Sequence, residues 1–176
     1  MSEDQSVVLR DASEADIRAL SELHVRTFRE THGGGPTAAV REQQWRSKFA
    51  SGQLVFCVVL ENPLGDLIGF ASGELYESEE LSEYRGELNK IYLLREFQGR
   101  SLGRRLLCAA AGRFLDHDVS SMLLFGDARS PSNGFYEAMR GERLYGSNGE
   151  FHGAYGWPDL PTLATMCSDW SRAPQA

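Results

Sequence analysis

Two spacings of apolar residues alternate along the chain and predict its elements. The runs "QLVFCVVLE" at 53–61 and "LIGFASGELY" at 67–76 are rich in β-branched and aromatic residues, as buried strands are. The segment "NPLGD" between them has turn composition, so the pair is expected to form an antiparallel hairpin. Elsewhere apolar residues recur every three or four positions, which predicts helices that pack on a sheet through one face.

The first quarter of the chain reads as a strand, a helix, a loop and a second helix. "SVVLRDA" at 6–12 has strand composition, and Ser13 with Asp16 has the spacing of a capping box at a helix start. Three glycines and a proline at 33–36 predict a loop, after which "REQQWRSKFA" at 41–50 resumes a helical pattern. The apolar stripe of the first helix consists of Ile17, Leu20, His24 and Phe28.

The second half repeats this alternation of strands and helices. Acidic residues at 77–83 predict a solvated turn or short helix, and "RAPQA" at 172–176 predicts a frayed tail. A helix with Gly103, Leu107, Ala110 and Phe114 on one stripe is expected from Ser101 onward. The remaining predicted elements are strands in "GELNKIYLL" at 86–94 and "SMLLFG" at 121–126, a short helix in "SPSNGFYEAMR" at 130–140, and two strands around a Gly-Ser-Asn-Gly turn in "ERLYGSNGEFHGAYGW" at 142–157.

Composition and length place all 176 residues in one mixed α/β domain. The net charge of −7 argues against nucleic acid or an anionic membrane as a partner, because both bind through clustered cations. The acidic surface suits a cationic ligand instead. No apolar run approaches the length of a membrane span, and the polar start "MSEDQSVV" is unlike a secretory signal, so a cytoplasmic protein is expected.

The three cysteines carry no metal or disulfide pattern in the sequence. Cys57, Cys108 and Cys167 are far apart, odd in number and lack C-x-x-C spacing. They are interpreted as small buried apolar residues in a reducing compartment, with no metal site.

The segment "REFQGRSLGRRLL" at 95–107 joins a predicted strand to a predicted helix. A helix N-terminus offers free N–H groups and partial positive charge, and Gly99 and Gly103 allow an anion to approach the backbone closely. Arg100 and Arg104 oppose the helix dipole, so an anion explains their placement better than helix stability does. The physics suggests a pyrophosphate site; the alternative is a plain glycine turn with solvated arginines, since neither the P-loop nor the G-x-G-x-x-G pattern is present.

The sequence "IYLLREFQGRSLGRRLL" at 91–107 resembles the signature of the GNAT superfamily of acyl-CoA-dependent N-acyltransferases. Gln98 through Gly103 align with the family turn Q/R-x-x-G-x-G/A, with Ser101 in place of the first glycine. The segment "SPSNGFYEAMRGERL" is similar to the family pattern N-P-x-x-x-F-Y-E-x-x-G-F, with Ser130 in place of asparagine and Glu142 near the usual aromatic residue. The similarity runs from about Val7 to Tyr155.

This resemblance implies a GNAT fold and acetyl-CoA as cosubstrate. The implied fold is α/β (α+β): a mixed, mostly antiparallel sheet of about six to seven strands, flanked by helices, with a V-shaped opening between the two central strands. Backbone groups of the strand before the turn would pair with the pantetheine arm. The implied cofactor-binding residues are Ile91, Tyr92, Leu93, Gln98, Gly99, Arg100, Ser101, Leu102, Gly103, Arg104, Ser130 and Asn133.

The implied reaction is direct transfer of an acetyl group to a primary amine of a small molecule or peptide. Tyr136 matches the family tyrosine beside the CoA sulfur, although two adjacent aromatics on a short helix are also ordinary core residues. Glu87 is the first choice for the base and Glu74 the second, while a water chain or a purely surface role stays open. His24 is expected to be a hydrogen-bonded core or rim histidine.

Two other functional classes fit the same sequence. A non-catalytic acyl-CoA-binding regulatory domain would keep the turn without a proton donor, a base or an acceptor pocket, and an interaction module would bind no acetyl-CoA at all. Tyr136 and the carboxylates favour the enzyme. The chain is expected to act as a monomer or a homodimer.

Overall fold

The computed structural model describes residues 6–173, so the first five residues and the end of the predicted frayed tail lie outside the described part. From β1 to β7 the chain follows the predicted order of strands and helices, with short 3₁₀ turns at Glu14–Asp16 and Arg95–Phe97. In chain order the elements are β1 Val8–Asp11, α1 Ile17–His32, α2 Ala38–Ser51, β2 Leu54–Glu61, β3 Leu67–Leu75, β4 Gly86–Leu93, α3 Leu102–Asp116, β5 Met122–Leu124, α4 Asn133–Ala138, β6 Glu142–Tyr145, β7 Phe151–Trp157 and α5 Leu160–Arg172.

All seven of these strands form one sheet in the order β1-β2-β3-β4-β5-β7-β6. Every neighbouring pair is antiparallel except β4 and β5, which run parallel. The two predicted hairpins, β2 with β3 and β6 with β7, are confirmed. The sheet is therefore mixed and mostly antiparallel, as the resemblance implies.

The two faces of the sheet are covered by different helices. On one face α1 and α2 pack over Phe70, whose ring lies 5.3 Å from that of His24 and 5.8 Å from that of Trp45, between centroids. On the other face Phe114 of α3 lies against Gly73 and Gly86, where a Cβ would meet its ring at 2.6 and 2.8 Å. Glycine at these two positions makes room for the helix that leads away from the predicted anion-binding turn.

The start of α1 is fixed as its capping box predicts. The backbone N–H of Ser13 donates to Oδ2 of Asp16 at 2.8 Å. Arg10 of β1 donates to both Asp16 and Glu61, so it ties the first strand to the helix start and to β2. The hydrogen bond from Arg10 is the main reason why the pKa of Asp16 is lowered to about 2.

The interpretation of the cysteines is wrong for two of the three. Cys108 of α3 and Cys167 of α5 form a disulfide with their Cα atoms 5.8 Å apart. Cys57 is the free, buried thiol among the three, and burial raises its pKa to about 12. The sequence did not predict this disulfide because 59 residues separate the two cysteines and because α5, which brings Cys167 to α3, was not predicted.

Signals for α5 are nevertheless present in the sequence. The side chain of Asp159 caps the helix by accepting from the N–H of Thr162 at 3.0 Å, and a proline stands in the first turn. Leu160, Leu163 and Cys167 recur at helical spacing. Among the helices of residues 6–173, none is long and apolar enough to cross a membrane.

Candidate functional site

The central strands β4 and β5 separate after two residues. β5 pairs only with Gly86 and Glu87 of β4, whereas β3 pairs with β4 from Gly86 to Leu93. From Leu88 onward, the edge of β4 that faces β5 therefore makes no backbone pairing with β5. The gap between the two strands is the V-shaped opening that the resemblance implies. A cleft of about 350 Å³ lies there. Its lining includes residues 88–93, Gln98, residues 124–127, Ser130, Ser132, Tyr136, Thr31 and His32.

A bulge in β4 sets which side chains point toward α1 and α2. Ser72 pairs with Lys90 while Gly73 pairs with Leu88, so Asn89 is the extra residue. Two residues that are paired across neighbouring strands point to the same face of the sheet. Along one strand, residues two positions apart, such as Phe70, Ser72 and Glu74 of β3, also share a face. Glu87, Lys90 and Tyr92, opposite Glu74, Ser72 and Phe70, therefore share the α1 and α2 face.

The predicted anion-binding turn lies at the start of α3. Gly99 and Ser101 both have left-handed backbone, with φ of +75° and +62°. Ser101 precedes the first residue of α3, and its side chain makes no capping hydrogen bond. The first helical bond runs from the N–H of Arg105 to the carbonyl of Ser101, so the amides of Leu102, Gly103 and Arg104 have no helical acceptor.

The side chains around the turn have distinct environments. Gln98 donates to the carbonyl of Leu93 at 3.1 Å, which fixes the turn against the end of β4. The side chain of Leu102 is buried in the core, so this residue offers only its backbone N–H at the turn. The guanidinium carbon of Arg100 lies 5.5 Å from the Phe97 ring centroid, and that of Arg104 lies 4.9 Å from the Trp170 centroid on α5. Each of the two arginines therefore makes a cation–π contact with an aromatic ring beside the turn.

Ser130 and Asn133 belong to the loop and helix that face the turn. Ser130 lines the cleft, and its hydroxyl accepts from the N–H of Ser132 at 3.2 Å. The side-chain amide of Asn133 donates to the carbonyls of Asp127 and Ala128 at 3.1 and 3.0 Å. Its Oδ1 is buried without a partner among the described residues. Asn133 therefore orders this loop with its nitrogen and leaves an oxygen free to accept.

Tyr136 enters the cleft from α4. Its ring contacts those of Tyr155 and Trp157, with centroids 5.4 and 6.3 Å away. Trp157 in turn donates to the carbonyl of Met139 at 2.9 Å, which fixes the end of α4 on β7. Burial, followed by Tyr92 and Tyr155, raises the pKa of Tyr136 to about 12. Its hydroxyl stays protonated at neutral pH and is able to donate a proton.

Glu87 and Glu74 are paired neighbours on β4 and β3. Glu74 forms an ion pair with Lys48 of α2. Burial in the first place and Glu74 in the second raise the pKa of Glu87. Glu87 is not among the residues that line the cleft, but it lies on the same face as Lys90 and Tyr92, which do.

His24 is a buried core residue, as expected. Its Nδ1 accepts from the indole N–H of Trp45 at 3.2 Å. Burial, then Arg41 and Lys90, lower its pKa to about 3, so it is neutral. Within residues 6–173, no three His, Cys, Asp or Glu side chains cluster as a metal site would require.

Comparisons with known proteins agree with this geometry. Residues 17–141 match the family described as Acetyltransferase (GNAT). Over 170 residues the chain is 35% identical to the uncharacterized N-acetyltransferase YuaI of Bacillus subtilis strain 168, covering 91% of this chain and 98% of that protein.

Two solved structures illustrate the shared fold. An N-acetyltransferase from Staphylococcus aureus Mu50 superimposes with a TM-score of 0.68 at 15% identity, covering 88% of this chain and 98% of that one. The PaiA N-acetyltransferase from Thermoplasma acidophilum, in complex with coenzyme A, gives a TM-score of 0.62 at 16% identity, with coverages of 86% and 98%.

Proposed function

The chain belongs to the acetyltransferase (GNAT) family, and from this premise we propose that it transfers the acetyl group of acetyl-CoA directly to a primary amine of a small molecule or peptide. The observation that carries the proposal is the cleft between β4 and β5, which reaches Gln98 of the turn before α3 and contains Tyr136.

The proposed cofactor path follows the free edge of β4. The pyrophosphate sits on the amides of Leu102, Gly103 and Arg104, where the helix dipole and Arg100 favour negative charge. The turn from Gln98 to Ser101 shapes this seat. Backbone groups of Ile91, Tyr92 and Leu93 pair with the pantetheine arm. Ser130, which lines the cleft, contacts the arm from the side of α4, and Asn133 is its second proposed contact there.

The proposed chemistry needs no covalent enzyme intermediate. The neutral amine attacks the thioester carbonyl, a nitrogen–carbon bond forms, and the carbon–sulfur bond breaks. The nitrogen gives its proton to Glu87, directly or through water, and the Tyr136 hydroxyl gives its proton to the departing thiolate. The raised pKa of Glu87 makes this carboxylate a stronger base toward the amine proton. The raised pKa of Tyr136 keeps its hydroxyl protonated at neutral pH, so that it can donate to the thiolate.

A thiol-release assay with acetyl-CoA and a panel of amines and peptides tests this function. Release of free CoA that depends on an amine, with matching N-acetyl product by mass spectrometry, is the expected result. Equilibrium dialysis with acetyl-CoA runs alongside. Binding without transfer to any amine would indicate the regulatory alternative, and absence of binding would indicate an interaction module.

We further propose that the chain acts as one domain, as a monomer or homodimer, in the cytoplasm. The compartment is inferred from the need for acetyl-CoA. Because cytoplasmic thiols tend to open disulfides, the state of Cys108 and Cys167 in cells bears on this location. Alkylation of free thiols in intact cells, followed by mass spectrometry, measures it.

A further inference from the structure

A second cavity, of about 750 Å³, lies between α2 and the sheet on the α1 and α2 face. Three cations, Arg41, Lys48 and Lys90, line it together with three glutamines. Within the described part of the chain its lining contains no Asp or Glu, although the whole protein carries a net charge of −7. The cavity is therefore a local cationic site on an acidic protein.

Arg41 is the best evidence that an anion belongs in this cavity. Its side chain is only 9% exposed, and its Nε is buried with no acceptor among residues 6–173. Nη1 donates to the neutral Gln44 at 3.1 Å, and the guanidinium carbon lies 4.9 Å from the centroid of the Phe28 ring. Burying a guanidinium with an unsatisfied N–H costs free energy, and an anionic ligand that accepted from Nε would offset this cost.

Lys90 is half-buried and lines the cleft as well as this cavity. Its ammonium lies 5.5 Å from the centroid of the Trp45 ring, and burial lowers its pKa. Lys48, by contrast, is paired with Glu74. Lys90 lines both this cavity and the cleft between β4 and β5, so the two spaces share a wall.

We propose that this cavity binds the carboxylate of the acceptor, and that the acceptor is a small carboxylate-bearing amine such as an amino acid. The planar fork of Arg41 matches a carboxylate, and Lys90 adds a second charge. Glu87 lies on the same face of the sheet without lining the cavity, and it is assigned to the ammonium end. This substrate class rests on the proposed function, and it is opposite to the cationic acceptor that the acidic surface suggests.

Matched acceptors test the proposal. Amino acids are compared with their own carboxamides, which keep the amine and lose the negative charge, at saturating acetyl-CoA. The amino acids are expected to have kcat/KM values about 10- to 100-fold higher, the size of a charge-assisted hydrogen bond. Arg41→Gln should remove that preference by raising KM for the amino acid, with KM for acetyl-CoA unchanged. Arg41→Lys should restore part of it.

The control is Arg46→Gln, which removes the same charge from an exposed position of the same helix outside the cavity. It should leave the preference intact. Equal rates for amino acids and carboxamides would overturn the proposal. So would an equal loss with both acceptors in Arg41→Gln, because that result would mean that Arg41 is merely structural.

A binding measurement separates this proposal from the proposed function. N-acetylated amino acids and their carboxamides are titrated against the tryptophan fluorescence of the protein, with Trp45→Phe to identify the reporter. A carboxylate-dependent change that Arg41→Gln abolishes supports the cationic site even if no amine is acetylated. Amine acetylation without any carboxylate preference, and without such a change, refutes the site while the proposed function stands.

Discussion

Ser101 occupies a backbone conformation that glycine adopts more easily, at the point where the proposed pyrophosphate seat begins. A left-handed L-residue costs roughly 1–2 kcal/mol. Glycine would remove this cost, but it would also raise the conformational entropy of the unfolded chain, which offsets roughly 0.4–1 kcal/mol of the gain in stability. The turn therefore accepts serine at a small cost in stability.

For this reason Ser101→Gly is expected to raise the free energy of unfolding by about 0.5 kcal/mol. Ser101→Val, β-branched at the same φ, should lower it by about 1 kcal/mol or more. Urea unfolding of the three proteins measures both changes. A less stable glycine variant would mean that the serine side chain contributes contacts which outweigh the strain.

Tyr136 is the residue of the cleft that we propose as the proton donor to the leaving thiolate. Tyr136→Phe keeps the ring contacts with Tyr155 and Trp157 and removes the hydroxyl, so we expect kcat to fall about 10- to 100-fold with KM for acetyl-CoA nearly unchanged. Tyr145→Phe, on an exposed ring of β6, is the matched control. Steady-state kinetics with an unaltered kcat would remove Tyr136 from the mechanism.

If Glu87 is the base, as proposed, kcat/KM should have an acidic limb that reports its ionisation. A base must be ionised, and burial beside Glu74 raises the pKa of Glu87, so kcat/KM should fall as pH drops through a value above the usual one for glutamate. Glu87→Gln should lower the rate and remove the contribution of Glu87 to that limb, leaving only the fall caused by protonation of the acceptor amine, whereas Glu74→Gln should shift the Glu87 contribution to lower pH. An acidic limb of unchanged steepness in Glu87→Gln would assign the proton transfer to another group.

At the scale of elements, α3 and α5 are covalently linked by the disulfide between Cys108 and Cys167. The disulfide joins their middles, and Arg104 in the first turn of α3 lies over Trp170 of α5. The last helix therefore supports the one whose N-terminus is proposed to hold the cofactor.

Opening the bridge should lower the free energy of unfolding by about 2–4 kcal/mol, because it closes a long loop. Urea unfolding with and without a dithiol reductant measures the loss, and Cys108→Ala with Cys167→Ala should unfold like the reduced protein. Thiol titration of the denatured protein should find one thiol before reduction and three after it. Three thiols before reduction would contradict the bridge.

At the scale of the whole molecule, residue composition and hydrophobic spacing predicted all seven strands and the first four helices. The central strands β2 and β3 are buried on both faces and appear as continuous apolar runs, whereas α1 and α3 show apolar residues at helical spacing. The opening between β4 and β5 came only from the family resemblance, since nothing in the pattern tells how far a three-residue β5 stays paired. The disulfide depends on tertiary contact between distant residues, which a single sequence does not reveal.

The buried cation was missed although a signal was available. Arg41 stands four residues before the buried Trp45, so helical spacing places both on the covered face of α2. A charged residue on a buried face is a local inconsistency, and such inconsistencies tend to mark function. By contrast, the turn at residues 98–103 was predicted because its glycines and its place before a helix are local features.

A crystal structure of the protein with acetyl-CoA would show whether the cofactor binds at this turn. We predict the pyrophosphate on the backbone amides of Leu102 and Gly103, the pantetheine arm along β4 in the opening toward β5, and the thioester within reach of the Tyr136 hydroxyl. A cofactor bound elsewhere, with the turn from Gln98 to Gly103 empty, would contradict it.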